Sequence, residues 1–196
     1  MDLVDLEVAL PDLPYEVMRK VTVPLDLRLT DLHLVLQAVM GWDNSHLYDF
    51  ACGRKMRWAD TAGYFGGEGD RSLKKSSLAD ILAEMGRNKF FVYTYDMGDS
   101  WEHVIKPSKS YVKIGEGSSF MLTLAVGSCP PDDSGGIPGF SHMLECLADP
   151  ASDERGDYVD WLGNEVWDTA ADLPDLAARL ATLARRLDKR FAAKPA

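Results

Sequence analysis

The sequence has few cysteines, no long apolar run and no excess of basic residues, and each of these shortages excludes a class of protein. Its three cysteines, Cys52, Cys129 and Cys146, are far apart and form no CxxC pair, which favours a reducing compartment over a disulfide framework. No apolar run approaches the roughly 20 residues that a membrane span requires. The first residues, MDLVDLEVAL, carry acids where a signal peptide needs cations. We therefore expect a cytoplasmic protein without membrane contact.

Basic residues are outnumbered, with 21 lysines and arginines against 31 aspartates and glutamates. A net negative field repels phosphate backbones, so the charge argues against nucleic acid as a partner. One surface keeps that alternative open, because the last predicted helix has a densely basic outer face that is explained equally well by simple solvation. The basic residues of that face are Arg179, Arg185, Arg186, Lys189 and Arg190.

Several well-known catalytic motifs are also absent. The chain has no nucleophile elbow, P-loop, Rossmann glycine fingerprint or kinase motif set, and its GYFGGEG segment lacks the P-loop lysine. Covalent catalysis by serine or cysteine therefore has no support beyond isolated residues.

The first third of the chain predicts a hairpin, a helix and a strand. LVDLEVAL alternates apolar and acidic residues and leads through PDLP into YEVMRKVTVP, which is typical of a β-hairpin. LTDLHLVLQAVMGW has apolar residues at helical spacing, with Thr30 as the predicted N-cap and Gly41 as the stop. HLYDFAC then predicts a strand.

The rest of the chain predicts a long loop, more hairpin strands and three helices. Residues 53–77 contain five glycines and no sustained period, so we predict a mobile loop there. A helix capped by Ser77 follows, then a hairpin of KFFVYTYD and SWEHVIK, then short strands in YVKI and FMLTLAV. A short helix is predicted around Phe140, residues 150–160 are a candidate linker, and an amphipathic helix begins after Asp172 and covers about 172–193.

These elements predict an α+β fold. The strands come in hairpins rather than between helices, which favours a mostly antiparallel sheet over a doubly wound parallel one. A chain of 196 residues with 46% apolar content can fill one substantial core. We therefore expect a single domain over residues 1–196, in which several helices, including the C-terminal amphipathic helix, pack on the sheet.

The segment YDMGDSWEH, residues 95–103, has two interpretations. In the first it is a turn, in which Gly98 takes a positive φ, Asp96 and Asp99 accept turn N–H groups and Trp101 packs in the core. In the second, the two aspartates and His103 act as ligands of a divalent cation or as an acid/base pair. We expect a structural hairpin first and part of a shared polar site second. Strand alternation places Trp101 and His103 on the same face.

His33 and His46 flank the predicted helix-to-strand corner and can approach each other there. Neither belongs to an HxxxH or HExxH pattern, which excludes a zincin-type site. We expect His33, near the helix start, to bond a nearby backbone group. His46, at the start of a strand, is the better metal candidate.

The segment PPDDSGG stiffens the chain with two prolines and projects Asp132 and Asp133 from one loop. Adjacent carboxylates repel each other unless a cation, an arginine or backbone N–H groups offset the charge. The open alternative is that one aspartate caps the helix leading to Phe140 while the other is solvated.

Four longer segments, in the same order, resemble the plasmid pRiA4b ORF-3-like family. They are LHLVLQAVMGWDNSHLYDF, YTYDMGDSWEHVI, CPPDDSGGIPGFSHMLECLADP and WLGNEVWDTAADL, within roughly Val21 to Leu180. The resemblance implies an α+β domain of bacteria and archaea, sometimes carried on plasmids or other mobile elements, and it implies no particular activity. The positions that match the family's motifs are His33, Trp42, His46, Asp96, Gly98, Asp99, Trp101, His103, Pro130, Pro131, Asp133, Gly135 and Gly136.

The chain also departs from the family pattern. Many relatives have PPEDCGG, so Asp132 stands in place of a glutamate and Ser134 in place of a cysteine. A thiolate pair made by Cys129 and that second cysteine is therefore not available to this protein, which argues against a soft-metal site in this loop.

Beside the nucleic-acid alternative raised by the last helix, two functions remain open, and we favour the first. One is a non-enzymatic binding or accessory module with a polar cleft for a protein or small-molecule partner. The other is a hydrolase that depends on a divalent metal, the only cofactor these residues suggest. The enzyme requires at least three candidate ligands around one cavity, whereas the module predicts separated groups. The metal candidates are His46, Asp96, Asp99, His103 and Asp133, and the cleft candidates add His33, Trp42, Trp101 and Asp132.

Overall fold

The structure, a computed structural model, describes residues 2–54, 56–60, 67–113 and 118–192, and the side chains of 109–113 and 190–192 lie outside this description. Over the described ranges the chain forms one α+β domain with eight strands and five helices. The strands are β1 (Asp2–Leu10), β2 (Val17–Pro24), β3 (Tyr48–Cys52), β4 (Met56–Ala59), β5 (Arg71–Ser72), β6 (Phe91–Tyr95), β7 (Trp101–Lys113) and β8 (Met121–Val126). The helices are α1 (Leu29–Met40), α2 (Leu78–Glu84), α3 (Gly136–Ala148), α4 (Arg155–Leu162) and α5 (Leu173–Ala192).

All eight strands belong to one sheet, in the order β5-β4-β3-β6-β7-β1-β2-β8. The pairs β1–β2, β3–β4 and β6–β7 are antiparallel neighbours in sequence, and β4–β5 is a parallel pair. Alternation along β1 buries Leu6, Val8 and Leu10 in the common core, as expected for a sheet with one face covered. The predicted fold class, a mostly antiparallel sheet built from hairpins, is confirmed.

Helix α1 ends as predicted but begins differently. Gly41 closes it in the left-handed conformation, at φ 93°. The helix begins at Leu29 after Arg28, which has no side-chain cap, so the prediction of Thr30 as N-cap is wrong. The reason is tertiary: Arg28 forms a β-bridge with Ser77, and the N–H of Leu29 donates to the carbonyl of Ser76 at 3.0 Å. A distant segment thus satisfies a donor that a side chain would otherwise cap.

Two segments predicted as irregular contain regular structure. The long loop predicted over 53–77 is wrong in part, because β4 and β5 lie within it and Trp58 of β4 is fully buried. Lys55 and residues 61–66 fall outside the described residues. The linker predicted at 150–160 is also wrong in part, since α4 begins at Arg155; none of its residues is buried, so it has no apolar period to detect. The capping box of Ser77 and Asp80 is present as predicted.

Helix α5 packs its apolar stripe against the domain. Leu176, Leu180 and Leu187 are buried, and Asp172 accepts the N–H of Asp175 at 2.9 Å, as an N-cap does. On the outer face Arg185, Arg186 and Lys189 are exposed, whereas the side chain of Arg190 is outside the described part. Across the helices of the described ranges, none combines the length and the apolar character that crossing a membrane demands.

Candidate metal centre

Three segments that are distant in sequence meet at one place, which we call the junction. They are the corner between α1 and β3 (residues 41–47), the β6–β7 turn (96–100) and the proline loop (128–135). Trp42 Nε1 donates to the carbonyl of Pro130 at 2.8 Å, and the N–H of Gly135 donates to the carboxylate of Asp99 at 3.0 Å. The N–H of Asp96 donates to the carbonyl of Leu47 at 2.9 Å. Each pair of segments is therefore joined by at least one hydrogen bond or ion contact.

The β6–β7 turn is built by Asp96. Its Oδ1 accepts the N–H groups of Gly98 at 2.8 Å and Asp99 at 3.3 Å, as the turn interpretation predicts. The predicted positive φ at Gly98 is wrong: Asp96 (φ 57°) and Ser100 (φ 55°) take the left-handed conformation instead. Aspartate tolerates this conformation because its side chain bonds the local backbone. Only Oδ1 serves the turn, so Oδ2 is free to face another group.

His46 lies between two carboxylates. Its Nδ1 is 3.6 Å from Asp96 Oδ2, and its Nε2 is 3.1 Å from Asp133 Oδ1. One ligand atom from each of the three residues lies within 4.8 Å of the others. The Nε2 atom is buried and, despite the short approach, makes no hydrogen bond of acceptable geometry to any described residue. Two ligand atoms that approach without bonding each other are arranged as they would be around a shared cation.

The proline loop separates its two aspartates. Asp133 turns towards His46, with its backbone at φ 61°, while Asp132 Oδ2 accepts the N–H of Asp43 at 3.3 Å. Neither aspartate caps α3, so the capping alternative is wrong. The N-cap of that helix is Gly135, without a side-chain cap, and the carboxylate bound to its N–H comes from Asp99, across the junction.

Burial raises the pKa of the Asp132 carboxyl above its ordinary value. The N–H of Asp43, the nearby His46 and the hydroxyl of Tyr95 act in the opposite direction, and burial is the largest effect. A carboxyl with a raised pKa beside a candidate metal ligand is a feature of sites that move protons.

Gly136 lets the proline loop approach the turn closely. Its φ is 66°, and a Cβ at this position would lie 2.7 Å from the carbonyl oxygen of Asp99. A side chain is therefore excluded both by conformation and by space. This contact sets the distance between Asp133 on the loop and Asp96 on the turn.

Aromatic side chains form the floor of the junction. Trp42 stacks on Tyr95 with ring centroids 4.9 Å apart, and it meets His103 edge to face at 5.1 Å. Trp101 and His103 are in the core, as strand alternation predicts for Trp101. His103 Nδ1 lies 3.0 Å from the carbonyl of Trp101 and 3.2 Å from that of Tyr93, so this nitrogen carries the proton and donates.

His103 is not brought to the His46 cluster. Its side chain has no exposed surface, and burial lowers its pKa to about 4. The structure thus places His103 beneath the junction as a neutral core residue. Asp99, the other metal candidate outside the cluster, is engaged with the N–H of Gly135.

His33 belongs to a separate buried network. Gln37 donates to the hydroxyl of Tyr93 at 3.0 Å, so that hydroxyl donates its own proton to His33 Nδ1 at 2.7 Å, and His33 Nε2 donates to Asn44 Oδ1. Burial lowers the pKa of His33 to about 4. The expected backbone partner is wrong, since both partners are side chains. This network fixes the corner that carries His46.

Sequence reasoning missed Tyr95, Gln37 and Asn44. The hydroxyl of Tyr95 accepts the N–H of Ser45 at 3.1 Å and faces Asp132. Its signal was present in the alternation of YTYD, which puts both tyrosines of β6 on the inner face. Gln37 and Asn44 gave no signal, because they become partners only when α1 and its following loop fold back on each other.

Cys129 of the proline loop is poorly suited to act as a metal ligand. Burial raises its pKa to about 11, against the opposing effect of Arg19, so the thiol is neutral and donates to Met40 Sδ at 3.3 Å. Burial thus disfavours the thiolate form that a soft-metal site in this loop requires.

The fold and the junction together define the class of protein: an α+β domain with a hairpin-built sheet and a His/Asp cluster where a turn, a helix corner and a proline loop meet. The chain belongs to the plasmid pRiA4b ORF-3-like protein family, whose model matches residues 2–174. The family resemblance of the sequence motifs is thereby confirmed.

One curated relative and one solved structure extend this comparison. The chain is 41% identical over 198 residues to the uncharacterized protein y4hQ of Sinorhizobium fredii (strain NBRC 101917 / NGR234), covering 93% of this chain and 96% of that one. It also resembles the crystal structure of MM3350, a protein of unknown function from Methanosarcina mazei Go1. The TM-score is 0.72 at 30% identity, over 87% of this chain and 94% of that one.

Proposed function

We propose that this protein is a non-enzymatic binding module that recognises its ligand through a divalent cation held by His46, Asp96 and Asp133. The observation that carries the proposal is that one ligand atom from each of these three residues, which lie on three different segments, is within 4.8 Å of the others. An imidazole and two carboxylates are a donor set that Mn²⁺, Fe²⁺ and Zn²⁺ accept.

Charge supports a cation at this place. Asp96, Asp132 and Asp133 bring like charges together, and a divalent ion offsets their repulsion. With a neutral imidazole, a divalent ion and two ligating carboxylates sum to no net charge. The open coordination positions of the ion then attract an anionic group of the ligand, although the protein as a whole is acidic.

Exposure supports a ligand that completes the coordination. The side chain of Asp133 is 73% exposed and that of His46 is 26% exposed, whereas Asp96 is anchored at 11%. Three protein ligands leave positions open on a six-coordinate ion. The group best suited to them is a carboxylate or phosphate on a small molecule or on a protein partner.

The surroundings hold two of the three ligands before the ion arrives. Asp96 is fixed by its turn bonds, and His46 packs edge to face on Tyr95 at 5.7 Å between ring centroids. A site whose residues are positioned by supporting contacts loses little conformational entropy on binding.

The test is calorimetric titration of the EDTA-treated full chain with Mn²⁺. We expect binding at the junction that weakens at least tenfold in His46→Ala and in Asp133→Asn, since each removes one of three ligands. Glu102→Gln is the matched control, because Glu102 is exposed on β7 and belongs to neither the turn nor the cluster; its affinity should equal that of the wild type.

The competing arrangement is a protonated His46 that pairs with both aspartates and needs no metal. It predicts no Mn²⁺ binding that depends on these residues. Titrations that are superimposable for the wild type, His46→Ala and Asp133→Asn would therefore contradict the proposal.

A metal-dependent hydrolase is the second candidate. Two observations favour it: three candidate ligands meet, instead of the separated groups expected of a module, and the pKa of Asp132 is raised. A carboxylate beside a metal-bound water can act as its general base. In that case Mn²⁺-dependent hydrolysis of chromogenic phosphate or carboxylate esters is lost in Asp132→Asn while Mn²⁺ affinity is kept. If the Mn²⁺-loaded wild type does not hydrolyse these esters, the result supports the binding module over the hydrolase.

A further inference from the structure

A second group of metal-ligating side chains lies where α3 meets α4, away from the junction. His142 and Cys146 are one helical turn apart on α3, and Glu154 directly precedes α4. His142 Nε2 lies 3.1 and 3.2 Å from the two carboxylate oxygens of Glu154 and 3.5 Å from Cys146 Sγ. One ligand atom from each residue lies within 4.8 Å of the other two.

We infer that His142, Cys146 and Glu154 form a second metal site, which binds a zinc-class divalent cation and ties α3 to α4. Nitrogen, thiolate and carboxylate ligands are those that Zn²⁺ takes in proteins. Residues at i and i+4 share one helix face, so His142 and Cys146 present their ligand atoms to the same point.

The two distances from His142 Nε2 to its neighbours match a tetrahedral ion. With the usual zinc bond lengths, tetrahedral angles put a nitrogen and a sulfur about 3.5 Å apart and a nitrogen and an oxygen about 3.4 Å apart. The observed separations are 3.5 Å for His142 Nε2 to Cys146 Sγ and 3.1 to 3.2 Å for His142 Nε2 to Glu154. Only small side-chain movements are needed to seat the ion.

The arrangement does not suit the two other roles that such residues fill. In a catalytic relay the base uses both ring nitrogens, one towards the thiol and one towards the carboxylate; here both partners approach Nε2. A surface ion pair accounts for His142 and Glu154 but not for the thiol directed at the same nitrogen. Convergence on one nitrogen is what a shared cation requires.

A metal at this place adds an attachment between α4 and the rest of the domain, where α4 otherwise has few contacts. None of the α4 residues is buried, and the partly buried Tyr158, Val159 and Leu162 are its apolar contacts with the core. Binding converts the Cys146 thiol to a thiolate and releases its proton to solvent. The coordination bonds then hold the start of α4 against α3, and the site is independent of the junction.

The test is titration of the reduced, EDTA-treated full chain with Co²⁺, followed by absorption. Cobalt bound to a thiolate gives a sulfur-to-metal charge-transfer band in the near ultraviolet, which the His/Asp cluster at the junction cannot produce. We expect this band to saturate near one equivalent and to vanish in Cys146→Ser. Glu154→Gln, whose side chain is 58% exposed and so does not affect folding, should weaken binding at least tenfold.

Controls separate this site from the junction and from the other thiols. His46→Ala, Cys52→Ser and Cys129→Ser should leave the charge-transfer band unchanged. Absence of the band in the wild type, or its persistence in Cys146→Ser, would overturn the inference, and neither result bears on Mn²⁺ binding at His46.

Discussion

The chain has four histidines, and the structure divides them into two kinds. His33 and His103 are buried and their pKa values are lowered to about 4, because burial disfavours the charged ring. His46 and His142 are more exposed, and each sits beside carboxylates. The buried pair belongs to the core around the junction, whereas the other pair carries the two proposed metal sites.

The buried histidines predict a loss of stability in acid. Their pKa is about 4 in the fold against an ordinary 6.5, so between these values the unfolded chain binds more protons and stability falls as pH falls. For each histidine the loss from pH 7 to pH 5 is at most about 2 kcal/mol. Urea unfolding at both pH values should show a smaller loss in His103→Asn, whose amide can replace the Nδ1–H donor.

His142→Gln in EDTA is the control for this measurement, because its side chain is 51% exposed. It should keep the full pH dependence of the wild type. If His103→Asn and the wild type lose the same unfolding free energy between the two pH values, His103 is not neutral in the fold.

At the residue scale, the sequence correctly predicted which residues of β7 share a face, but it did not predict that His103 is buried. Strand alternation correctly put Trp101 and His103 on one side of β7, but spacing cannot tell a cleft from a core. One residue that covers His103 is Trp42, which comes from the α1–β3 corner and whose ring centroid lies 5.1 Å from that of His103. Burial by a partner distant in sequence leaves no local pattern.

At the scale of elements, the proline loop and the β6–β7 turn act as a single unit. The N–H of Gly135 bonds Asp99, and Gly136 places its Cα against the backbone of the same residue. This close approach is what brings Asp133 of the loop to the histidine that also faces Asp96 of the turn. The cluster therefore depends on backbone fit as much as on its three ligands.

Gly136→Ala should separate the loop from the turn. The left-handed backbone and the 2.7 Å approach to the Asp99 oxygen together cost about 2–5 kcal/mol of unfolding free energy. We expect urea denaturation to show this loss and Mn²⁺ affinity at the junction to fall with it. Gly156→Ala is the matched control, because a Cβ there meets nothing within 4 Å, and in helix α4 it should stabilise by up to about 1 kcal/mol.

A variant Gly136→Ala with wild-type stability and wild-type Mn²⁺ affinity would show that the loop position is not set by this contact. A large loss in Gly156→Ala would instead point to packing of α4 that the structure does not contain.

Elements with an apolar period or a local cap were predicted well, and elements without either were not. The capping box of Ser77 and the stop at Gly41 are local signals, and both are present. The start of α1 depends on the pairing of Arg28 with Ser77, and α4 buries no residue. Neither of these two features produces a recognisable pattern in the sequence near the element itself.

At the scale of the whole molecule, the net charge is −10 and the basic face of α5 is interrupted by acids. Arg179 pairs with Asp175 at 3.0 Å, and Asp188 accepts from Ser118 and Ser119 on the adjoining segment. Asp175 and Asp188 thus interrupt the basic residues of this helix.

From this charge distribution we expect no binding to nucleic acid. A labelled DNA duplex should stay free at low salt with about 10 µM protein, a concentration at which many non-specific binders associate. Gel-shift or fluorescence anisotropy measurements are suitable. Binding that disappears in the Arg185→Ala, Arg186→Ala double variant would contradict this expectation and assign a function to the α5 face.

The sequence by itself determined the fold class, the β1–β2 and β6–β7 hairpins, the shared face of Trp101 and His103, and the family, because these follow from local periodicity, caps and motif order. Only the tertiary structure decided which histidines are buried and which meet carboxylates. His46, Asp96 and Asp133 come from three segments that are distant in the chain, and His142 of α3 meets Glu154, which directly precedes α4. Their approach therefore depends on packing between elements. Local interactions are encoded residue by residue, whereas the distance between such side chains exists only once the core that separates or joins them has formed.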